Sequence, residues 1–163
     1  MTMLEVDSLV DATVVRVGTE LLLEAQGHEI FVDHSELFWP PWPPNVDLQR
    51  LYPLGSKVPV YIKGYMYALR RVLGSIKRVD PNSNPYRQLS RLDAGTVLDG
   101  HVTFLLPDPE TLSVTLSNGT PGHVMPETIW RRGKQGAFKT GDSIKVVIEA
   151  LDVHEGMLQF DFA

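Results

Sequence analysis

The sequence predicts an all-β chain folded as two five-stranded barrels in tandem, and three observations carry that expectation. Apolar residues come in short, β-rich runs broken by glycine or proline, which is the grammar of strands. No long stretch keeps a 3.6-residue period, so helices are expected only as one or two turns in loops. A faint internal repeat divides the 163 residues into two units of similar plan.

In the first unit the expected strands are Ala12–Val17, Glu20–Glu24, Ile30–Val32 and Val58–Ile62, with a fifth before or around Gly74. The second repeats them as Gly95–Thr103, Thr111–Leu116, Gly122–Val124, Ser143–Glu149 and Met157–Phe162. Asn118-Gly119 is a tight-turn signal between two of these runs. Short helical turns are expected near Pro126–Arg132 and Val46–Leu51.

The repeat shows best where Tyr52-Pro53-Leu54-Gly55-Ser56-Lys57-Val58 meets Phe138-Lys139-Thr140-Gly141-Asp142-Ser143-Ile144: an aromatic, a glycine, a polar residue, then an alternating strand. Upstream, Phe31-Val32-Asp33-His34-Ser35-Glu36-Leu37 corresponds to His123-Val124-Met125-Pro126-Glu127-Thr128-Ile129. Domains are expected at 1–82 and 93–163, joined by a linker over 83–92, where Asp80-Pro81-Asn82-Ser83-Asn84-Pro85 is rich in turn formers. Units of about 60 to 90 residues are viable as separate small cores.

Composition excludes several classes of function. There is no cysteine, which removes disulfides, thiolate metal sites and cysteine nucleophiles and suits a reducing cytosol. The opening residues lack a basic segment before an apolar one, and no apolar run approaches the roughly 20 residues that cross a membrane, so a soluble, unprocessed protein is expected. The five histidines have no metal-ligand spacing. Phe138 precedes Lys139-Thr140 where a phosphate loop needs glycine. Asp33-His34-Ser35 has the residue types of a catalytic triad, but neighbours on a strand point to opposite faces. Asn118-Gly119-Thr120 reads as a hairpin turn rather than a glycosylation acceptor. No catalytic residue, metal or cofactor is therefore expected.

The net charge is -5, unevenly spread. Residues 1–90 hold nine basic and ten acidic side chains, residues 91–163 six and ten. Between Asp47 and Asp80 there is no acid, whereas Arg50, Lys57, Lys63, Arg70, Arg71, Lys77 and Arg78 all lie there. Tyr61, Tyr65 and Tyr67 are interleaved with Lys63, Arg70 and Arg71, a mixture suited to holding phosphates while rings stack on bases. Alternatively, the tyrosines rim the barrel and the charges form a solvated face.

Five strands with a small helix or loop before the fourth is the layout of a Greek-key OB barrel. The phrases Phe31-Val32-Asp33-His34-Ser35-Glu36-Leu37, Gly55-Ser56-Lys57-Val58 and Gly74-Ser75-Ile76-Lys77-Arg78-Val79-Asp80 resemble those of S1 RNA-binding domains, and Gly141-Asp142-Ser143-Ile144-Lys145-Val146 resembles them more loosely. The resemblance implies two tandem S1-like domains, the second divergent, and single-stranded RNA as ligand. It also implies an exposed phenylalanine on the second strand and a histidine ending the third. This chain has Leu21 or Leu22 at the first place and Asp33 at the second, with His34 one position on; the second unit has Leu112 to Val114 and Met125. Lys63, Tyr61, Tyr65, Tyr67, Arg70, Arg71, Lys77 and His34 are the candidate nucleic-acid contacts of unit one. Arg131, Arg132 and Lys134 are those of unit two, unless they merely cap a short helix.

The segment Phe38-Trp39-Pro40-Pro41-Trp42-Pro43-Pro44 is stiffened by four prolines. Trp39 and Trp42 are candidate anchors for a protein partner or a stacked base, or else fold back to plug the barrel end. The expected function is a non-catalytic, cytoplasmic RNA or single-strand binder, monomeric or weakly oligomeric. A protein-interaction or inhibitory module on the same scaffold is the alternative.

Overall fold

In a computed structural model the chain forms two closed five-stranded barrels. The structure describes residues 3–163, and these divide into two compact units, 3–83 and Asn84–Ala163. Unit one contains β1 (Leu9–Val17), β2 (Glu20–Ala25), β3 (His28–Asp33), α1 (Leu48–Leu51), β4 (Lys57–Met66) and β5 (Arg71–Ser75). Unit two contains α2 (Pro85–Leu89), β6 (Leu98–Pro107), β7 (Glu110–Leu116), β8 (Pro121–Val124), α3 (Pro126–Arg131), β9 (Ser143–Asp152) and β10 (Met157–Phe162). Among the described residues no helix is long and apolar enough to cross a membrane.

Both barrels share one topology. Three antiparallel strands form a meander, the third pairs parallel with the fifth, and the fourth closes the barrel between the first and fifth. The repeat seen in the sequence is thus a repeated Greek key. Alternation fills each interior: Leu21, Leu23, Ile30, Val32, Val60 and Ile62 in unit one, and Val102, Leu112, Val114, Val124, Val146 and Phe160 in unit two, all 2 % exposed or less. Gln26 and Gly27, both at positive φ, make the two-residue turn between β2 and β3, which matches strand twist. Gly74 is required by crowding, because a Cβ there would lie 2.6 Å from Ile30 and 2.7 Å from Val60 side chains.

Two local expectations need correction. Tyr65 does not sit outside β4. The pairing slips between Ile62 and Gly64, so Lys63 bulges and Tyr65, opposite Val72, turns against the core with its hydroxyl donating to Leu4 O at 2.5 Å. The segment 83–92, expected as a linker, contains α2: Asn84 caps it, Pro85 opens it, and Tyr86 and Leu89 are buried.

Candidate nucleic-acid interface

The acid-free stretch of sequence does not make an acid-free surface. Glu36, at the end of a 3-10 turn after β3, is 6 % exposed and receives Lys63 Nζ at 2.6 Å and Arg78 Nε at 3.2 Å. Burial opposes its ionisation most strongly, but hydrogen bonds from Lys63 and Ser75 and the charges of Lys63 and Lys77 together outweigh that and hold the carboxyl below its usual value. Lys63 is therefore a clamp between β4 and the turn, not an open phosphate contact. Tyr61 is engaged as well, donating to the Asp7 carboxylate, which raises its phenol above the usual value.

The proline-rich loop divides its tryptophans. Trp39 Nε1 donates to Lys77 O at 2.8 Å, and its ring lies under Lys77 Nζ at 4.2 Å and the Arg78 guanidinium at 5.4 Å. That ring is covered by the chain's own cations, so Trp39 and Lys77 form a loop anchor rather than a projecting contact. Trp42 remains 60 % exposed. In unit two, Arg132 forks Asp161 at 3.1 and 2.5 Å, and Arg131 bonds Glu149 at 2.9 Å; both hold α3 to β9 and β10. Lys134 is exposed, with no carboxylate within 4.0 Å among the described residues. His34 is exposed at the start of the 3-10 turn, while Asp33 caps that turn by accepting from Ser35 N and Oγ at 3.0 and 2.5 Å. Those hydrogen bonds lower the Asp33 carboxyl below its usual value.

What remains open in unit one is the β4–β5 hairpin and the outer face beside it. Met66, Tyr67 and Leu69 are exposed at the tip, Tyr67 by 76 %. Its ring stacks on Tyr65 with centroids 5.9 Å apart and 17° between planes, so the core-anchored Tyr65 presents it. Arg70 follows in the left-handed region at φ 53, exposed and with no carboxylate within 4.0 Å among the described residues. On the outer face, Phe31 of β3 lies between Leu22 of β2 and Leu73 of β5 in register, and Leu22 is only 5 % exposed. The Arg71 guanidinium lies over the Phe31 ring at 4.1 Å and its Nη1 contacts both Glu20 oxygens at 2.9 and 3.1 Å.

Phe31 and Glu20 were not among the candidates. Alternation from Ile30 and Val32 points Phe31 outward, and that signal was present in the sequence. In unit two Phe104 is likewise an outer-face aromatic, 57 % exposed, because a slip between Val102 and Phe104 brings it opposite Ser113.

No protein-family profile and no curated protein matches this chain. Among solved structures, an a/eIF2alpha–aDim2p–rRNA complex from Pyrococcus horikoshii OT3 contains a chain similar over 54% of this one and 53% of its own length, at 22% identity and TM-score 0.42. A multidomain protein with nucleic acid binding domains from Streptococcus pneumoniae TIGR4 is similar over 98% of this chain and 54% of its own, at 15% identity and TM-score 0.34. This chain spans about half the length of each.

Proposed function

We propose that this is a non-catalytic protein that binds single-stranded nucleic acid, RNA in particular, through unit one. The observation that carries the reading is the adjacency, along β3, β5 and β4, of a guanidinium held on an aromatic ring, Arg71 on Phe31, and a hairpin that presents Tyr67 beside Arg70, which has no carboxylate within 4.0 Å among the described residues. Exposed aromatics such as Tyr67 stack on bases at about 1–3 kcal/mol each, and guanidinium planes also stack on them. A chain without cysteine suits a reducing compartment, and we place it in the cytoplasm.

Because Lys63, Arg78 and Arg71 already have carboxylate partners, few cations are left to displace counterions. Affinity should then come mostly from stacking. With one or two phosphates neutralised, the logarithm of the affinity should fall with that of salt by a slope of about -1, from roughly -0.7 per phosphate on single strands. Titration of a fluorescent single-stranded RNA at several salt concentrations tests this; absence of binding at low salt removes the reading.

A second reading rests on Trp42, which stands exposed on a loop that Trp39 anchors. Such a residue suits a protein partner, and the alternative predicts that Trp42→Ala abolishes capture of one stoichiometric protein without altering RNA binding.

A further inference from the structure

The same surface that offers a stacking platform is hostile to phosphate. On the outer side of β2 and β3 stand Glu20, Glu24, Glu29 and Asp33, against Arg16 and Arg71. The ligand group received at Arg71 should therefore be neutral, and its acceptors must match what the guanidinium still has to give.

Arg71 spends one nitrogen on its fold. Nη1 contacts both oxygens of Glu20, while Nε and Nη2 make no hydrogen bond among the described residues. The side chain is 34 % exposed. Phe31 below and Glu20 beside it fix the guanidinium, so the remaining Nε–Nη2 edge is an oriented pair of donors. Two neutral unpaired nucleobases meet two parallel donors with two adjacent acceptors, guanine through O6 and N7 and cytosine through O2 and N3, whereas adenine offers a donor beside its N7. Of the two, the purine has the larger face to stack beside the exposed Tyr67 of the neighbouring hairpin.

We propose that Arg71 is a guanine-reading residue, held in position by Phe31 and Glu20, and that unit one prefers single strands carrying guanine at one place. This rests on the nucleic-acid reading above and adds a specificity to it.

The test uses the full chain and four uridine octamers with a central guanine, inosine, 7-deazaguanine or adenine, titrated by fluorescence anisotropy. Guanine and inosine share O6 and N7, and both should bind about tenfold tighter than adenine, in line with one bidentate base contact. The 7-deaza base lacks N7 and should lose most of that advantage. Arg71→Lys keeps the charge but not the fork, and should bind all four alike. Glu20→Gln removes the charge that fixes Nη1 and should narrow the gap between the guanine and adenine octamers; a role in stability alone would leave the gap intact. The base analogues act on the unaltered protein, so they decide the matter even if a variant folds poorly. Equal binding of guanine and adenine, or of guanine and 7-deazaguanine, overturns the guanine assignment alone, as does inosine binding worse than guanine, or a further octamer with central cytosine binding as tightly as guanine. Failure of all four octamers to bind overturns the nucleic-acid reading itself.

Discussion

Glu36 shows how one buried acid can tie a turn to two later segments of its barrel. It is buried, yet it ties Lys63 of β4 and Arg78, whose side chain is 6 % exposed, to the turn after β3. Removing one partner of a buried charge pair strands the other, which costs about 3 kcal/mol. Glu36→Gln should lower stability by that order in urea unfolding; an unchanged midpoint would mean that Arg78 finds water or another partner. A pH dependence follows from the same group. The folded carboxyl ionises more readily than the unfolded one, so its contribution is present above the ordinary glutamate value of 4.5 and is lost as pH falls below it. Asp161, lowered first by the Arg132 hydrogen bond, acts in the same direction. The unfolding midpoint should be level from pH 7 to about 5 and fall at lower pH; a midpoint that rises on acidification contradicts this.

At the scale of elements, the β4–β5 hairpin is where packing ends and the proposed recognition surface begins. Tyr67→Ala removes a ring that is 76 % exposed, so stability should hold while affinity for single-stranded RNA drops by about 5- to 100-fold, the loss of one stacked base. Equal affinity would take the hairpin out of the interface. Gly74→Ala in β5 should act oppositely, lowering stability by about 1–3 kcal/mol through overpacking against Ile30 and Val60. Most of this architecture is legible in the sequence, because period-two alternation and the repeated Gly-polar-strand phrase are local signals. Two features escaped for identifiable reasons. The bulge at Lys63 reverses the facing of Tyr65, and nothing in a regular alternation announces the slip. Asn84-Pro85 reads as a turn, but the same two residues are a helix cap and a first-turn proline.

For the whole molecule, the decisive difference between sequence and structure concerns charge. Seven basic residues in an acid-free stretch suggest a positive stripe. The barrel brings Glu20 from β2 and Glu36 from the turn after β3 onto Arg71, Lys63 and Arg78, and so neutralises much of it. A window along the chain contains no information about partners that closure of the sheet supplies. The proposed site is smaller and more aromatic, and it lies where β3, β5 and the hairpin meet. The most direct test is an NMR titration of the isotope-labelled full chain with single-stranded RNA, read as backbone amide shifts. Perturbations centred on Phe31 and on residues 66–71 are expected. Shifts confined to the Trp39–Pro44 loop or to α3, or no shifts at all, would contradict the account.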